Sequence, residues 1–177
     1  MAKAAVWTKA QHIFSLVSLT VSKFLITTGS STGWNGDYTT KSNIIDLSIS
    51  GNYHCPDWID YPIEVTGASG GLLGKTSIIC GGGHPYTDKC YEVKANKIEP
   101  FTAMTTRRYF AASVQMNSNT LWISGGFDGY IIISSSEFIQ INGSTKGPQL
   151  PIALSHHAMV NMRNESTMVI GGSFLSK

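Results

Sequence analysis

Four segments of this chain end alike, as an apolar, β-rich run that stops at a pair of glycines. Three are clear: Ser77-Ile78-Ile79-Cys80-Gly81-Gly82, Leu121-Trp122-Ile123-Ser124-Gly125-Gly126 and Met168-Val169-Ile170-Gly171-Gly172. A degenerate copy reads Phe24-Leu25-Ile26-Thr27-Thr28-Gly29. Aligned on Gly29, Gly82, Gly126 and Gly172, the copies are 53, 44 and 46 residues apart. Self-similarity at such a period is the mark of a repeat architecture, and missing it would misread every local element. Glycine at the end of each run admits a sharp turn and a positive φ where a side chain would clash.

The surroundings of each pair recur as well. Before it stands another short strand and a polar turn: Tyr109–Met116 with Asn117-Ser118-Asn119, and His156–Met162 with Arg163-Asn164-Glu165-Ser166. Each such pair of strands reads as a hairpin. After the glycines come a loop and a third strand, Asn43–Leu47, Cys90–Val93 and Glu137–Ile141. A fourth segment carries proline and aromatics: Cys55–Pro62, Ile98–Met104 and Gly147–Leu150. Four short strands in every ~45 residues describe a β-propeller blade. The expected fold is therefore all-β, with about three and a half four-stranded units. Such a chain is an incomplete propeller, a partial product or an arc whose open edge strands invite self-association.

These motifs resemble the kelch-repeat family over residues 23–177. The resemblance is carried by Gly81-Gly82, Gly125-Gly126 and Gly171-Gly172, by Tyr91 and Phe138 in the third strands, by Glu137, and by the Met104…Arg107-Arg108 segment that opens a repeat. The ICGGG…CY run, GPQLP and His156-His157 are similar to secreted arthropod kelch-repeat proteins more than to intracellular adaptors. Two departures concern packing inside a blade. The fourth-strand Trp is missing from the later repeats, with only Trp58 to serve, and Thr28 replaces a leading glycine.

The N-terminus carries Lys3 and Lys9, no acid before Asp37, and an apolar run over Ile13–Val21. That run is too short to span a bilayer but fits the core of a secretory leader, with small Thr20 and Ser22 before a cut after Ser22. An N-terminal helix or a buried strand is the alternative. Residues 1–22 are thus expected to be a leader on a secreted protein. Asn142-Gly143-Ser144 and Asn164-Glu165-Ser166 are glycosylation sequons at Asn142 and Asn164. Cys80 and Cys90 flank a glycine-rich turn and suit a cross-strand disulfide in an oxidising compartment, which leaves Cys55 over; three buried thiols are the alternative.

Composition narrows function. Charged residues make up 14% of the chain and the formal net charge is +2. No nucleic-acid partner driven by bulk charge fits that balance, and 42% hydrophobic residues exclude a disordered chain. Removing residues 1–22 takes away two lysines and no acid, so the slight basicity belongs to the leader.

No catalytic pattern stands out. Ser69-Gly70-Gly71-Leu72-Leu73-Gly74-Lys75-Thr76 nearly spells a phosphate loop, but a strand rather than a helix follows it, so a hairpin turn is the better reading. His156 and His157 are strand neighbours that point to opposite faces, and no metal ligand set or other cofactor is expected. No serine sits in a nucleophile elbow, and the carboxylates are sparse.

The expected function is that of a non-enzymatic binding protein for a protein or glycan ligand. In an up-and-down blade the loops joining strands two and three share a face with the connections between blades, while both sequons fall on the other face. The ligand face would hold Trp34, Tyr38, Trp58, Tyr61, Tyr86, Phe127 and Tyr130 as aromatic anchors, with Arg107 and Arg108 either ready for an acidic partner or, as the kelch resemblance implies, structural features of the blades. Truncating Tyr86 and Tyr130 would then weaken binding without unfolding. A copper radical oxidase of kelch type is an alternative, weakened because Cys90-Tyr91 are adjacent in sequence. An intracellular kelch adaptor is another, though no room exists for its usual partner domain.

Overall fold

The computed structural model describes residues 15–18, 23–27, 40, 42–46, 59–94, 97–162 and 166–174. It is all-β in these residues, with thirteen strands in antiparallel sheets that do not close into a barrel. Strands β1 (Ser15–Ser18), β2 (Lys23–Thr27) and β3 (Ser42–Asp46) form the first sheet. The second holds β4 (Ser69–Leu73), β5 (Thr76–Cys80), β6 (Lys89–Lys94) and β7 (Lys97–Ala103) in sequence order. The third repeats that order with β8 (Ala112–Asn117), β9 (Thr120–Ser124), β10 (Ser136–Gln140) and β11 (Gly143–Lys146). A hairpin of β12 (Ser155–Asn161) and β13 (Thr167–Ser173) completes the described residues.

The sheets are stacked in chain order through their first strands: β1 touches β4, β4 touches β8 and β8 touches β12. The second sheet is consequently buried on both faces, and its strand β5 reads as a continuous apolar run instead of an alternating one. Ile78 and Cys80 turn to a core shared with Leu121, Ile123 and Ile139 of the third sheet, together with Cys90 and Met104. Ile79 turns the other way, to Tyr61, Val65, Ala68 and Tyr91. Strand period two sends neighbours to opposite faces, and here both faces are dry. This burial is the physical reason for the low charge content.

Cys80 and Cys90 stand opposite each other in the β5–β6 ladder and form a disulfide. Gly81 N donates to Lys89 O at 2.9 Å, so Cys80 and Cys90 occupy the adjacent non-hydrogen-bonded position, where facing side chains come closest. The Ser69–Thr76 segment is a hairpin with Gly74-Lys75 at its tip, and Leu73 pairs with Thr76.

One expectation about elements changes, and one strand falls in the stretch read as a leader. Ser15–Ser18, inside the stretch read as a leader, is a strand paired with β2 from Ser15↔Thr27 to Ser18↔Phe24. A short apolar run fits a secretory core and an edge strand equally. The fourth strand of the third sheet is Gly143–Lys146, not Gly147–Leu150. A two-residue turn at Ile141-Asn142, with Gly143 at φ 129°, starts the return strand early. Pro148 and Pro151, which lack an N–H, cannot extend the ladder. The first half of the fourth segment of the first unit, Cys55–Pro62, lies outside the described residues, and its described half, 59–62, is not strand.

The paired glycines do more than turn the chain. Gly82 N donates to Arg108 O at 2.8 Å and Gly126 N donates to Leu154 O at 2.7 Å. Arg108 and Leu154 lie in the connections that lead into the next sheet. A Cβ on Gly81 would stand 2.3 Å from Arg108 O, and one on Gly125 would stand 2.4 Å from Leu154 O. The first glycine lets the next connection press against the backbone, and the second anchors it. The φ values repeat accordingly: 71° and 113°, 61° and 91°, 68° and 106° for the three pairs.

Candidate functional site

Three connections meet above the second and third sheets. The β5–β6 loop brings Tyr86 and Asp88, the β7–β8 connection brings Thr105, Thr106 and Arg107, and the β9–β10 loop brings Asp128 and Tyr130. Together they line an open cleft of about 430 Å³. Loops between strands two and three thus share a face with the connection between sheets. Asn142 sits at the far end of β10 from this cleft and is exposed.

Each wall is held by the backbone. Asp128 Oδ1 accepts from the N–H groups of Tyr130 and Ile131 at 2.8 and 2.9 Å, which closes a turn at the loop tip. Arg107 Nε donates to Asp128 O at 2.7 Å. That bond ties the connection to the loop and sets the guanidinium 5.1 Å from the centre of the Tyr130 ring, within cation–π range. Tyr130 is 78% exposed, whereas Tyr86 is 36% exposed. Tyr86 packs on Tyr109 at 5.1 Å between ring centres and on Phe127 at 6.4 Å. Tyr109 meets Phe110, and Phe110 is stacked on His156 at 4.0 Å. An aromatic row therefore underlies the cleft and runs towards the β12 hairpin.

Beneath the cleft lies an ion pair that spacing did not suggest. Arg108 Nη2 is 3.0 Å from Glu137 Oε1, and both side chains are almost fully buried. Arg108 also donates to Gly125 O at 3.0 Å and Ser135 O at 2.7 Å. Glu137 accepts from Thr105 N at 2.6 Å and Thr106 N at 3.0 Å. Burial pushes the Glu137 carboxyl up, but the Thr105 N–H and the Arg108 guanidinium outweigh it and hold it below the usual carboxylate range. Glu137 is thus the post on which the Thr105–Arg107 connection is mounted. A carboxylate inside an otherwise buried strand, SEFIQ, was the available signal for it.

The sequence-derived anchors divide. Tyr86, Arg107 and Tyr130 converge on the cleft, and Phe127 is half-buried beneath it. Arg108 is not a surface group for an acidic partner: its partner is Glu137, and it is 2% exposed. Tyr61, expected among the contact loops, is 2% exposed and packs edge-on against Tyr91 at 5.2 Å. Gly29, Trp34, Tyr38, Cys55, Trp58 and Asn164 lie outside the described residues.

His156 and His157 part as adjacent strand residues must. His157 is buried with Nε2 3.1 Å from Ser124 Oγ, while His156 faces out over Phe110. Burial, reinforced by the neighbouring His156, pushes the His157 imidazole below its ordinary value. Cys90 is committed to Cys80, and Tyr91 turns into the opposite core. The pair therefore cannot supply the cross-linked tyrosine of a copper radical site.

No family model matches the chain, and no curated protein matches it significantly. Among solved structures, the one titled "Structure of YjhT" superposes with a TM-score of 0.65 at 17% sequence identity. The match covers 83% of this chain and 48% of that one, so the chain spans about half the length of that structure. The likeness is one of fold.

Proposed function

We propose that this chain is a non-enzymatic, secreted binding protein built from kelch-type propeller blades, and that it takes a protein or glycan ligand in the Tyr86–Arg107–Tyr130 cleft. The observation that carries this reading is the convergence of three separate connections on one cleft. That cleft presents an exposed tyrosine, a cation set beside it and two carboxylates on a pre-ordered frame. Exposed aromatics and arginine on a rigid base are the anchors of binding surfaces. Its hydroxyls and carboxylates suit a ligand rich in hydroxyl or amide groups.

The stacking of first strands and the matching φ values of the glycine pairs support blades of the kelch type. The disulfide, in a chain with no described helix long and apolar enough to cross a membrane, fits an extracellular protein. Glycosylation at Asn142 would leave the cleft face open.

The test is binding of the full chain to a printed oligosaccharide array and to an array of extracellular proteins. It compares wild type with Tyr130→Ala and Arg107→Gln, whose surface positions spare the core. Loss of a hot-spot side chain costs about 2 kcal/mol or more, so at least a tenfold loss of affinity is expected, with an unchanged unfolding midpoint. A ligand held equally by wild type and both variants would place recognition elsewhere and end this assignment.

A further inference from the structure

We propose that the partner of the cleft face is a protein and not a glycan: a segment that brings a lysine or arginine to Asp88 and Asp128 and lays an apolar side chain on a shoulder made by Tyr130, Ile131 and Ile152. The inference narrows the cleft reading above and rests on it.

The shoulder comes from two loop tips that end in exposed isoleucines. Ile131 is 56% exposed and Ile152 is 53% exposed, beside Tyr130 at 78%. Both tips are pinned. Asp128 N donates to Ile131 O at 3.1 Å, and Ile131 N donates back to Asp128 Oδ1 at 2.9 Å. Ile152 stands between Leu150 and Leu154, and both leucines are buried. Leu150 N donates to Ser134 O at 2.8 Å, and Leu154 O accepts from Gly126 N at 2.7 Å. Ser134 and Gly126 are the stems of the loop that carries Tyr130 and Ile131, so the two tips rise from one base. A single exposed apolar side chain is ordinary on a protein surface, but three large ones on adjoining ordered tips mark a contact site. The patch also lies at strand ends. Sheets stack here through their first strands, and β12 of the following hairpin already rests on β8. Stacking covers strand faces and leaves these tips open.

The cleft beside the shoulder is acidic on balance. Its lining sets Asp88 and Asp128 against Arg107 as the only other charged residue. Arg107 does not neutralise them: its Nε goes to the Asp128 carbonyl, and its guanidinium lies by the Tyr130 ring. Among the described residues, neither carboxylate takes part in an ion pair. Asp128 Oδ1 is held by two N–H groups of its own loop, which fixes the carboxylate in place. One further cation completes the charge balance, and carboxylates in a wall that also carries tyrosines suit an ammonium or a guanidinium.

The shoulder decides which class of molecule brings that cation. A glycan can offer hydroxyls to the carboxylates and stack on Tyr130. It gains nothing at Ile131 and Ile152, because covering them strips water from sugar hydroxyls and returns no hydrogen bond. A protein segment with a basic and an apolar side chain satisfies both halves, in the arrangement of an apolar contact beside a polar one that protein interfaces use. An acidic segment would meet Arg107 but face the two aspartates uncompensated.

Panning random twelve-residue peptides displayed on phage against the immobilised full chain tests this, with an oligosaccharide array probed in parallel. The expected result is a consensus that pairs Lys or Arg with a large apolar residue. Binding of the synthetic consensus peptide is then measured by fluorescence anisotropy. Asp88→Asn, and the double variant Ile131→Ser with Ile152→Ser, should each weaken it by about tenfold or more. Changing the basic residue of the peptide to glutamine should weaken it similarly and remove the effect of Asp88→Asn. All three protein positions are exposed, and thermal melts check that each variant is folded. A consensus rich in Asp or Glu overturns the proposal, as do a library that yields no consensus and a peptide indifferent to the isoleucine pair. Oligosaccharides bound through Tyr130 and Arg107, with no peptide bound, overturn this inference and leave the cleft reading standing. A peptide indifferent to Tyr130→Ala, Arg107→Gln and Asp88→Asn ends both.

Discussion

Replacing Glu137 by Gln should be among the most destabilising conservative changes available to this chain. The carboxylate accepts from two backbone N–H groups and from the Arg108 guanidinium. Gln keeps one acceptor oxygen but turns an NH2 towards a donor, and it leaves the buried arginine without its counter-charge. Arg108 cannot lose its proton in compensation. Breaking one side of a buried, hydrogen-bonded pair costs about 3–5 kcal/mol. At about 2–4 °C per kcal/mol for a domain of this size, the midpoint should fall by roughly 6–20 °C. Urea unfolding followed by tryptophan fluorescence gives the free energy, with an unchanged slope as evidence that the same surface is exposed.

Acid should narrow the gap between wild type and variant. The folded carboxyl is held below its unfolded value, so its stabilisation is complete above the ordinary carboxylate range and drains away as pH falls through the folded value. The Glu137→Gln variant lacks this component. The double change Arg108→Met with Glu137→Leu should be less harmful than either single change, because no lone charge remains. A loss below 1 kcal/mol for Glu137→Gln, the range of a surface pair, would refute the claim that this pair supports the connection.

Two further predictions separate roles that the sequence makes look alike. Gly125→Ala should cost well over 2 kcal/mol, since its Cβ must displace Leu154 O from 2.4 Å at φ 61°, whereas Gly171→Ala should cost only about 1 kcal/mol for its left-handed backbone. Equal losses in denaturant melts of the two variants at low concentration would contradict the contact-based account. His157 is buried with its pKa lowered, so its neutral form is favoured in the fold and stability should decline as pH drops below about 6.5, the unfolded value. His157→Gln, compared by melts from pH 7.5 to pH 5, should flatten that decline, and an unchanged slope would place the titration elsewhere.

Much of the strand plan was legible because it rests on local signals. Runs such as TSIIC and TLWIS have few other ways to fold between polar turns, and the tight spacing of Cys80 and Cys90 left them opposite each other in one hairpin. The shared face for the loops also followed, since an antiparallel order leaves only two ends for them. Tertiary partners were a different matter. Adjacent Arg107 and Arg108 carry the same charge and the same local pattern, but one lies over Tyr130 and the other beneath the cleft with Glu137. That division is decided by a strand 29 residues away, which no window around the arginines contains. Tyr61 was misplaced for the same reason, because its aromatic ring says nothing about the Tyr91 ring that covers it.

The glycine pairs show where pattern and physics part company. A motif that recurs three times with the same φ values invites one explanation, a turn that only glycine can make. Conformation alone would make Gly81, Gly125 and Gly171 equivalent. The contacts make them different: two are compressed by the carbonyl of a following connection, and the third faces open space with the same dihedral angle. The left-handed backbone is therefore not imposed by the pressing carbonyl, since it persists where none presses. It is set within each hairpin, and the following connection docks onto a shape already made. A stack assembled this way needs no covalent continuity between one sheet and the next, only the right carbonyl and apolar face in the right place.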